Sequence, residues 1–431
     1  MLKFLHAADV HLDSPLRGLE RYEGAPVEEI RAASRRAFEN LVALAVEEEV
    51  AFVLLAGDLY DGDWKDYNTG LFFSAQMARL EEAGIRAFLV AGNHDAASQI
   101  TKVLRPPANV KVFSTKRPET EVLADLGVAI HGQGFAHAVV SEDLSAGYPA
   151  AVPHLFNIGL LHTSLDGRPG HASYAPSTVG GLRSRGYQYW ALGHVHEREV
   201  VAADPWIVFP GNLQGRHARE TGAKGATLVT VDGMAAVLEH RDLDVFRWAV
   251  STVDLNATGN ASEVLDRVRG ALEHELASAD GRSLAVRLHL RGACPAHAEL
   301  VGASDHWREE FRSLANGFGE GALWIEKVLL DTRPAADRTA AFDREDAVGG
   351  LLRTVRDLET GDDDLAELAA GFSDLRAKLP AELFADLEAL DPSDPRRLRG
   401  LLGEVKDLLL ARLLAAPQIS DNSETPKDTE P

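Results

Sequence analysis

Cysteine is nearly absent from this 431-residue chain: Cys294 stands alone. No intrachain disulfide is therefore available, and any metal must be held by His, Asp and Asn side chains. Long apolar runs are missing as well. Nothing approaches the roughly 18–20 residues needed to span a bilayer, which excludes a helical membrane protein. Met1 to Ala8 leads straight into Asp9 and His11, leaving no room for the core of a signal peptide. The expected setting is reducing and cytoplasmic, with no membrane partner. Positive charge is in deficit, 44 Lys and Arg against 66 Asp and Glu, so the net charge of −22 argues against a strongly basic nucleic-acid binder. The imbalance is uneven, because residues 341–431 alone hold 21 acidic and 11 basic side chains. There is no GxxxxGK[ST] loop, so any ATPase activity must come from another polypeptide.

What is present is a soluble globular composition, 45% hydrophobic and 26% charged, too long for one ordinary core. Leu2–Ala7, Ala51–Ala56 and Ile85–Ala91 read as buried strands. Helical periodicity lies between them, at 28–49 and 67–83, the second ending at Gly84. This alternation predicts a parallel sheet. Shorter strands follow at Val128–His131, Asn157–His162, Tyr189–Gly193, Trp206–Phe209 and Ala226–Val231, while Ser114–Pro153 reads mostly as loop with one or two strands. The expected class is α/β: two packed sheets flanked by helices, in α-β-β-α layers. Four regions are expected: 1–243, a catalytic domain; 244–332, a small α/β cap; 333–416, a helical segment; and 417–431, a disordered polar tail.

Metal-ligand residue types follow five of the apolar runs. They are Asp9 and His11 (DVH), Asp58 and Asp61 (GDLYD), Asn93 and His94 (GNHD), His162 alone, and His194 and His196 (GHVH). Polar tips after parallel strands converge at one edge of a sheet. A two-cation site needs several ligands and a shared carboxylate, which Asp provides with two oxygens; His adds neutral nitrogen and Asn an uncharged oxygen. D-x-H and H-x-H on an extended tip put both side chains on one side. The glycines before Asp58, Asn93 and His194 are read as sharp-turn residues. Taken singly, each element has an ordinary explanation: a chance D-x-H, a GNHD turn, a satisfied core histidine. Their joint occurrence, in order and at strand ends, does not.

This motif series resembles that of the calcineurin-like metallophosphoesterase superfamily over residues 1–240. The opening LKFLHAADVHLDSPL and the block FPGNLQGRH at 209–217 are similar to its DNA-repair exonuclease branch, of the SbcD and YhaO-like nuclease type. The resemblance implies two divalent ions, with Mn2+ expected. One would be held by Asp9, His11, Asp58 and His196, the other by Asp58, Asn93, His162 and His194. A metal-activated hydroxide would attack phosphorus, His94 would assist the transition state or the leaving oxygen, and Asp61 would support it. Arg216 and His217, with Arg219, are candidate phosphate contacts, a solvated loop being the alternative. The implied function is a DNA exonuclease and endonuclease in repair, partnered with an SMC-like coiled-coil ATPase of the SbcC or YhaN type, with a homodimer also implied. Two alternatives stand beside it: a phosphomonoesterase or nucleotidase, and a mainly structural DNA-end or ATPase-binding subunit.

Overall fold

The computed structural model describes residues 1–16, 24–61, 67–97, 107–167, 174–256, 258–319, 321–335 and 362–378, with runs of one to three residues elsewhere. The tail at 417–431, and most of the expected helical segment, lie outside the described residues. Among the described residues no helix is long and apolar enough to cross a membrane.

The chain divides into two compact units. The first comprises Met1–Val250, Glu275–Arg287 and Phe318–Glu326. It is built on two six-stranded sheets. One contains β1 (Leu2–Ala7), β2 (Phe52–Leu55), β3 (Arg86–Leu89), β4 (Val110–Val112), β11 (Gly225–Asp232) and β12 (Ala235–Asp242). In it β1 to β4 run parallel, as the alternation with α1 (Val27–Glu47) and α2 (Tyr67–Glu82) predicts, while β11 closes antiparallel against β1. The other contains β5 (Glu119–Leu123), β6 (Val128–Gln133), β7 (Phe156–His162), β8 (Tyr189–Gly193), β9 (Glu199–Ala203) and β10 (Trp206–Phe209), with β6, β7, β8 and β10 parallel.

Side chains alternate across each strand, and that alternation builds the layers. In β1 and β2, Leu5, Ala7, Val53 and Leu55 face outward onto Ala37, Phe38, Leu41 and Met77 of the helices. Their neighbours Phe4, Phe52 and Leu54 face inward, onto Ile158, Leu160, Tyr189 and Ala191 of the second sheet. Trp190 and Leu192 of β8 turn the other way, onto Tyr148, Leu182 and Tyr187. The sandwich between helical layers is the expected architecture. Two short helices complete the frame near the strand ends, α3 (Asn93–Ala97) and α4 (Val179–Arg183).

A third sheet has the order β13 (Phe246–Asp254), β14 (Ser283–Ala293), β15 (Leu323–Arg333). The second unit comprises Ser251–His274, Leu288–Gly317 and Lys327–Pro431. Within it α5 (Ala261–Ser278) buries Val264, Val268 and Leu272. After α6 (His297–Gly302), α7 (Ser304–Asn316) buries Trp307 and Phe311. Further on, Leu365 and Ala369 of the helix Asp362–Gly371 cluster with Leu398 and Leu402.

Candidate metal centre

Every motif residue lies at or just beyond the C-terminal end of a strand. Asp9 and His11 follow β1, Asp58 and Asp61 follow β2, and Asn93 and His94 open α3 after β3. His162 ends β7, and His194 and His196 follow β8. The first two tips are joined by their backbones: Asp9 N–H donates to Gly57 O (3.0 Å), His11 N–H to Asp58 O (3.0 Å) and Leu12 N–H to Leu59 O (2.9 Å). Asp95 joins the third. Its buried carboxylate accepts from Leu59 N (3.2 Å), Tyr60 N (3.0 Å) and Gly92 N (3.0 Å).

The tips are not extended, and here the structure corrects the reading from spacing. Asp9, His11, Asp58 and His194 have φ of 50°, 47°, 53° and 103°. Non-glycine residues in this region cost on the order of 1–3 kcal/mol each, so the surrounding hydrogen bonds hold a strained arrangement in place. The role of the glycines is also revised. Gly57 needs its φ of 95°, but Gly92 and Gly193 are required by closeness. A Cβ on Gly92 would fall on the Asp58 carboxylate, and one on Gly193 on the carbonyl of Ala56.

The donor atoms converge. His162 Nε2 lies 3.0 Å from Asn93 Oδ1 and 3.5 Å from Asp58 Oδ2. His11 Nε2 lies 3.9 Å from the same Asp58 oxygen and 3.4 Å from His196 Nε2, which is 3.8 Å from Asp9 Oδ1. Asp58 thus faces both halves. His194 donates its backbone N–H to the Asp9 carboxylate (2.9 and 3.1 Å), and its ring stands edge-on to His162, centroids 5.2 Å apart. Among the described residues three sets are tight enough to hold an ion: Asp9, His11 and His196; His11, Asp58 and His94; and Asp9, Asp58 and His162.

Proton placement tests whether these residues suit a cation. The His162 Nδ1 proton is committed to Ala56 O (2.9 Å), and that of His196 to Glu220 Oε1 (2.7 Å). Each Nε2 therefore presents a lone pair toward other acceptors, the Asn93 oxygen and two carboxylates. Acceptors aimed at one another with no proton between them repel unless a positive charge intervenes, so the donor set fits divalent metal. Burial lowers His162 to about 3 and His11 well below the usual imidazole range, keeping both neutral. Burial and then the charge of Asp58 push Asp9 well above the carboxylate range, and burial raises Asp58 itself to about 6.

His94 differs from the other donors. It is 40% exposed, and its Nδ1 lies 2.8 Å from Asp61 Oδ1. That hydrogen bond raises the His94 pKa against the effect of burial. Burial opposes the charge on Asp61, but hydrogen bonds from His11, His94 and Ser14 outweigh it and hold the carboxyl well below its usual range. Ser14 Oγ donates to Asp61 Oδ2 at 2.6 Å.

Of the candidate phosphate contacts, Arg216 is 16% exposed, with Nη2 2.9 Å from Glu220 Oε1. His217 is 54% exposed, 3.6 Å from the same oxygen. Glu220 and Asp95 are the residues that sequence reasoning missed. The only signals were the Arg216–Glu220 spacing of four and the acidic end of GNHD. Tyr187, Tyr189 and Trp190 are buried in the core. Arg185 is tied to the carbonyls of Tyr148 (2.8 Å) and Ala146 (2.7 Å).

Residues 2–198 match the calcineurin-like phosphoesterase family, and residues 248–333 match the middle domain of metallophosphoesterase YhaO. The uncharacterized metallophosphoesterase YhaO of Bacillus subtilis is 34% identical over 298 residues, covering 68% of this chain and 72% of its own. The DNA double-strand break repair protein Mre11 of Sulfurisphaera tokodaii is 26% identical over 284 residues, 62% of this chain and 68% of its own. A dimetal phosphatase from Danio rerio, 13% identical, overlies 56% of this chain and 96% of its own with a TM-score of 0.33. The agreement between the motif series and a relative a third identical over most of both chains decides the matter: this chain belongs to the calcineurin-like metallophosphoesterase family and is a metal-dependent phosphoesterase.

Proposed function

We propose that the chain hydrolyses DNA phosphodiesters, as an exonuclease and endonuclease in DNA repair, with two Mn2+ ions. The observation that carries the reading is the convergence of buried carboxylate and imidazole donors beside His94, a histidine held by a carboxylate. Asp9, His11, Asp58 and His196 would hold one ion, and Asp58, Asn93, His162 and His194 the other. The bound ions would supply Lewis-acid charge and make water nucleophilic near neutral pH. The chain's own side chains do the rest. His94, whose protonated form the Asp61 hydrogen bond favours, donates to the leaving oxygen or to the charge building on phosphate. Arg216 and His217 meet substrate phosphates at the rim.

DNA as substrate is supported by the relatives named for double-strand break repair and by the block at 209–217. The proposed division is 1–243 for catalysis, 244–332 for a cap over the DNA, and 333–416 for binding an SMC-like ATPase. The match at 248–333 and the lack of a nucleotide loop in this chain favour it. A homodimer and a cytoplasmic setting complete the proposal.

The test gives purified protein with Mn2+ linear duplex DNA, single-stranded DNA, p-nitrophenyl phosphate and its bis ester. Nucleotide release is expected, and it should be abolished by His94→Ala with metal content unchanged. Turnover of the monoester with DNA untouched would overturn the reading in favour of a small-substrate phosphatase.

A further inference from the structure

His196 is held from outside the strand tip that carries it. Asp9 and His11 are zipped to the β2 tip, Asn93 opens a helix, and His162 ends a strand. His194 is fixed through its own N–H. His196 lies beyond these, in the turn between β8 and β9. The loop 211–224 holds it. The His196 carbonyl accepts from Asn212 N (3.2 Å) and from Lys224 Nζ (3.1 Å), and its Nδ1–H donates to Glu220 Oε1 (2.7 Å).

Glu220 is 6% exposed, and both its oxygens are occupied. Oε1 also takes Arg216 Nη2 (2.9 Å), while Oε2 takes Arg216 N (2.8 Å) and Asn212 Nδ2 (3.0 Å). The loop is packed to contact, since a Cβ on Gly215 would sit 2.7 Å from Glu220 O. An Ala8–Asn212 bridge ties it to the end of β1, next to Asp9. Burying a carboxylate is costly unless it is paired and hydrogen-bonded, and the charged partners here are the two side chains nearest the metal site, His196 and Arg216. The arrangement makes sense if the carboxylate acts on its neighbours.

We propose that Glu220 is a positioning residue for His196 and Arg216. It fixes the His196 tautomer and aims Nε2 at Asp9 and His11, and the same oxygen anchors the guanidinium beside the metal site. The proposal rests on the two-metal reading above. A carboxylate behind a metal-binding histidine also makes the imidazole a stronger donor.

The test is Mn2+ binding, measured by calorimetry and by metal analysis after gel filtration, on the full chain. Wild type should take two ions; if it takes none, the two-metal reading fails whatever Glu220 does. In Glu220→Ala one ion should bind as in wild type and the other about 10–100-fold more weakly. In a His196→Ala background, Glu220→Ala should add no further loss of affinity. Glu220→Gln keeps the volume and one acceptor oxygen, so it carries the same cycle if the alanine variant does not fold. Its expected loss is smaller but measurable. A lower melting temperature with both affinities at wild-type values would reduce Glu220 to a structural role and overturn the proposal. So would a loss that adds in full to that of His196→Ala.

Discussion

Replacing Gly193 by alanine asks whether the closeness of the two sheets is what aims the metal site. Gly193 ends β8 and pairs with His162 in parallel register. A Cβ there would fall on the carbonyl of Ala56, with its carbon at 2.9 Å and His162 Nδ1 at 3.0 Å. Carbon contacts settle at about 3.5–4.0 Å, so a shift of about 0.6 Å or more is forced. The obstacle is backbone, which has no rotamer through which to yield. Overpacking of this kind costs about 1–3 kcal/mol, and rigid neighbours on both sides place this case near 3 kcal/mol. The displaced carbonyl is the one that takes the His162 Nδ1 proton, so the damage reaches a donor directly. In EDTA the urea midpoint should fall by the equivalent of about 3 kcal/mol. With Mn2+ restored, metal content should drop below that of wild type. Gly180, in α4 with nothing within 4 Å of its would-be Cβ, is the control, and alanine there should change stability by no more than about 1 kcal/mol. An unchanged midpoint with full metal content in Gly193→Ala would refute the reasoning.

Asp61→Asn should move the alkaline limb of the pH–rate profile to lower pH. The Asp61 hydrogen bond raises the His94 pKa, so without it the protonated form is lost earlier as pH rises; an unmoved limb would show that His94 does not act through that proton. Asp95→Ala strands the N–H groups of Leu59, Tyr60 and Gly92 in a buried site, and should cost about 3 kcal/mol or more by chemical denaturation; a loss under about 1 kcal/mol would mean that the loops relax without it. His6 is buried between Tyr189 Oη (2.9 Å) and Leu192 O (3.1 Å), and burial lowers it to about 3 from 6.5. Between those values the unfolded chain binds one more proton, so stability falls as pH drops, by about 1.4 kcal/mol per unit. His6→Asn should therefore be less stable at pH 7 yet flatten the profile between pH 6 and 4; parallel profiles for the two proteins would contradict this.

The layers were legible because their periodicity is simple. β1, β8 and β10 have the bounds expected from sequence, and β2, β3, α1 and α2 differ by no more than two residues at either end. What escaped was short or exposed. Strand β4 has only three residues, β5 reads ETEVL with Thr120 and Val122 exposed and its glutamates half-buried, and β12 alternates along an exposed edge, so none carries a clear apolar signal. At the site the donors themselves were legible, since Asp, Asn and His after apolar runs are rare in combination. The parts that hold them were not. Glu220 and Asp95 act on partners 24 and roughly 35 residues away, a pairing that only the folded chain brings about. Left-handed backbone at Asp9 and His11 has no signature either, because the usual marker for it is glycine.

That backbone strain sets a direction for selection. Glycine at Asp9, His11, Asp58 or His194 would relax a disfavoured conformation and at the same time delete a donor. A search for heat-resistant variants run on the metal-free protein would therefore enrich changes at these four positions and discard catalysis first. Screening with metal present reverses the incentive, because binding energy then rewards the strained residues. The order of metal addition and heat challenge would decide whether such an experiment returns a sturdier phosphoesterase or an inert scaffold.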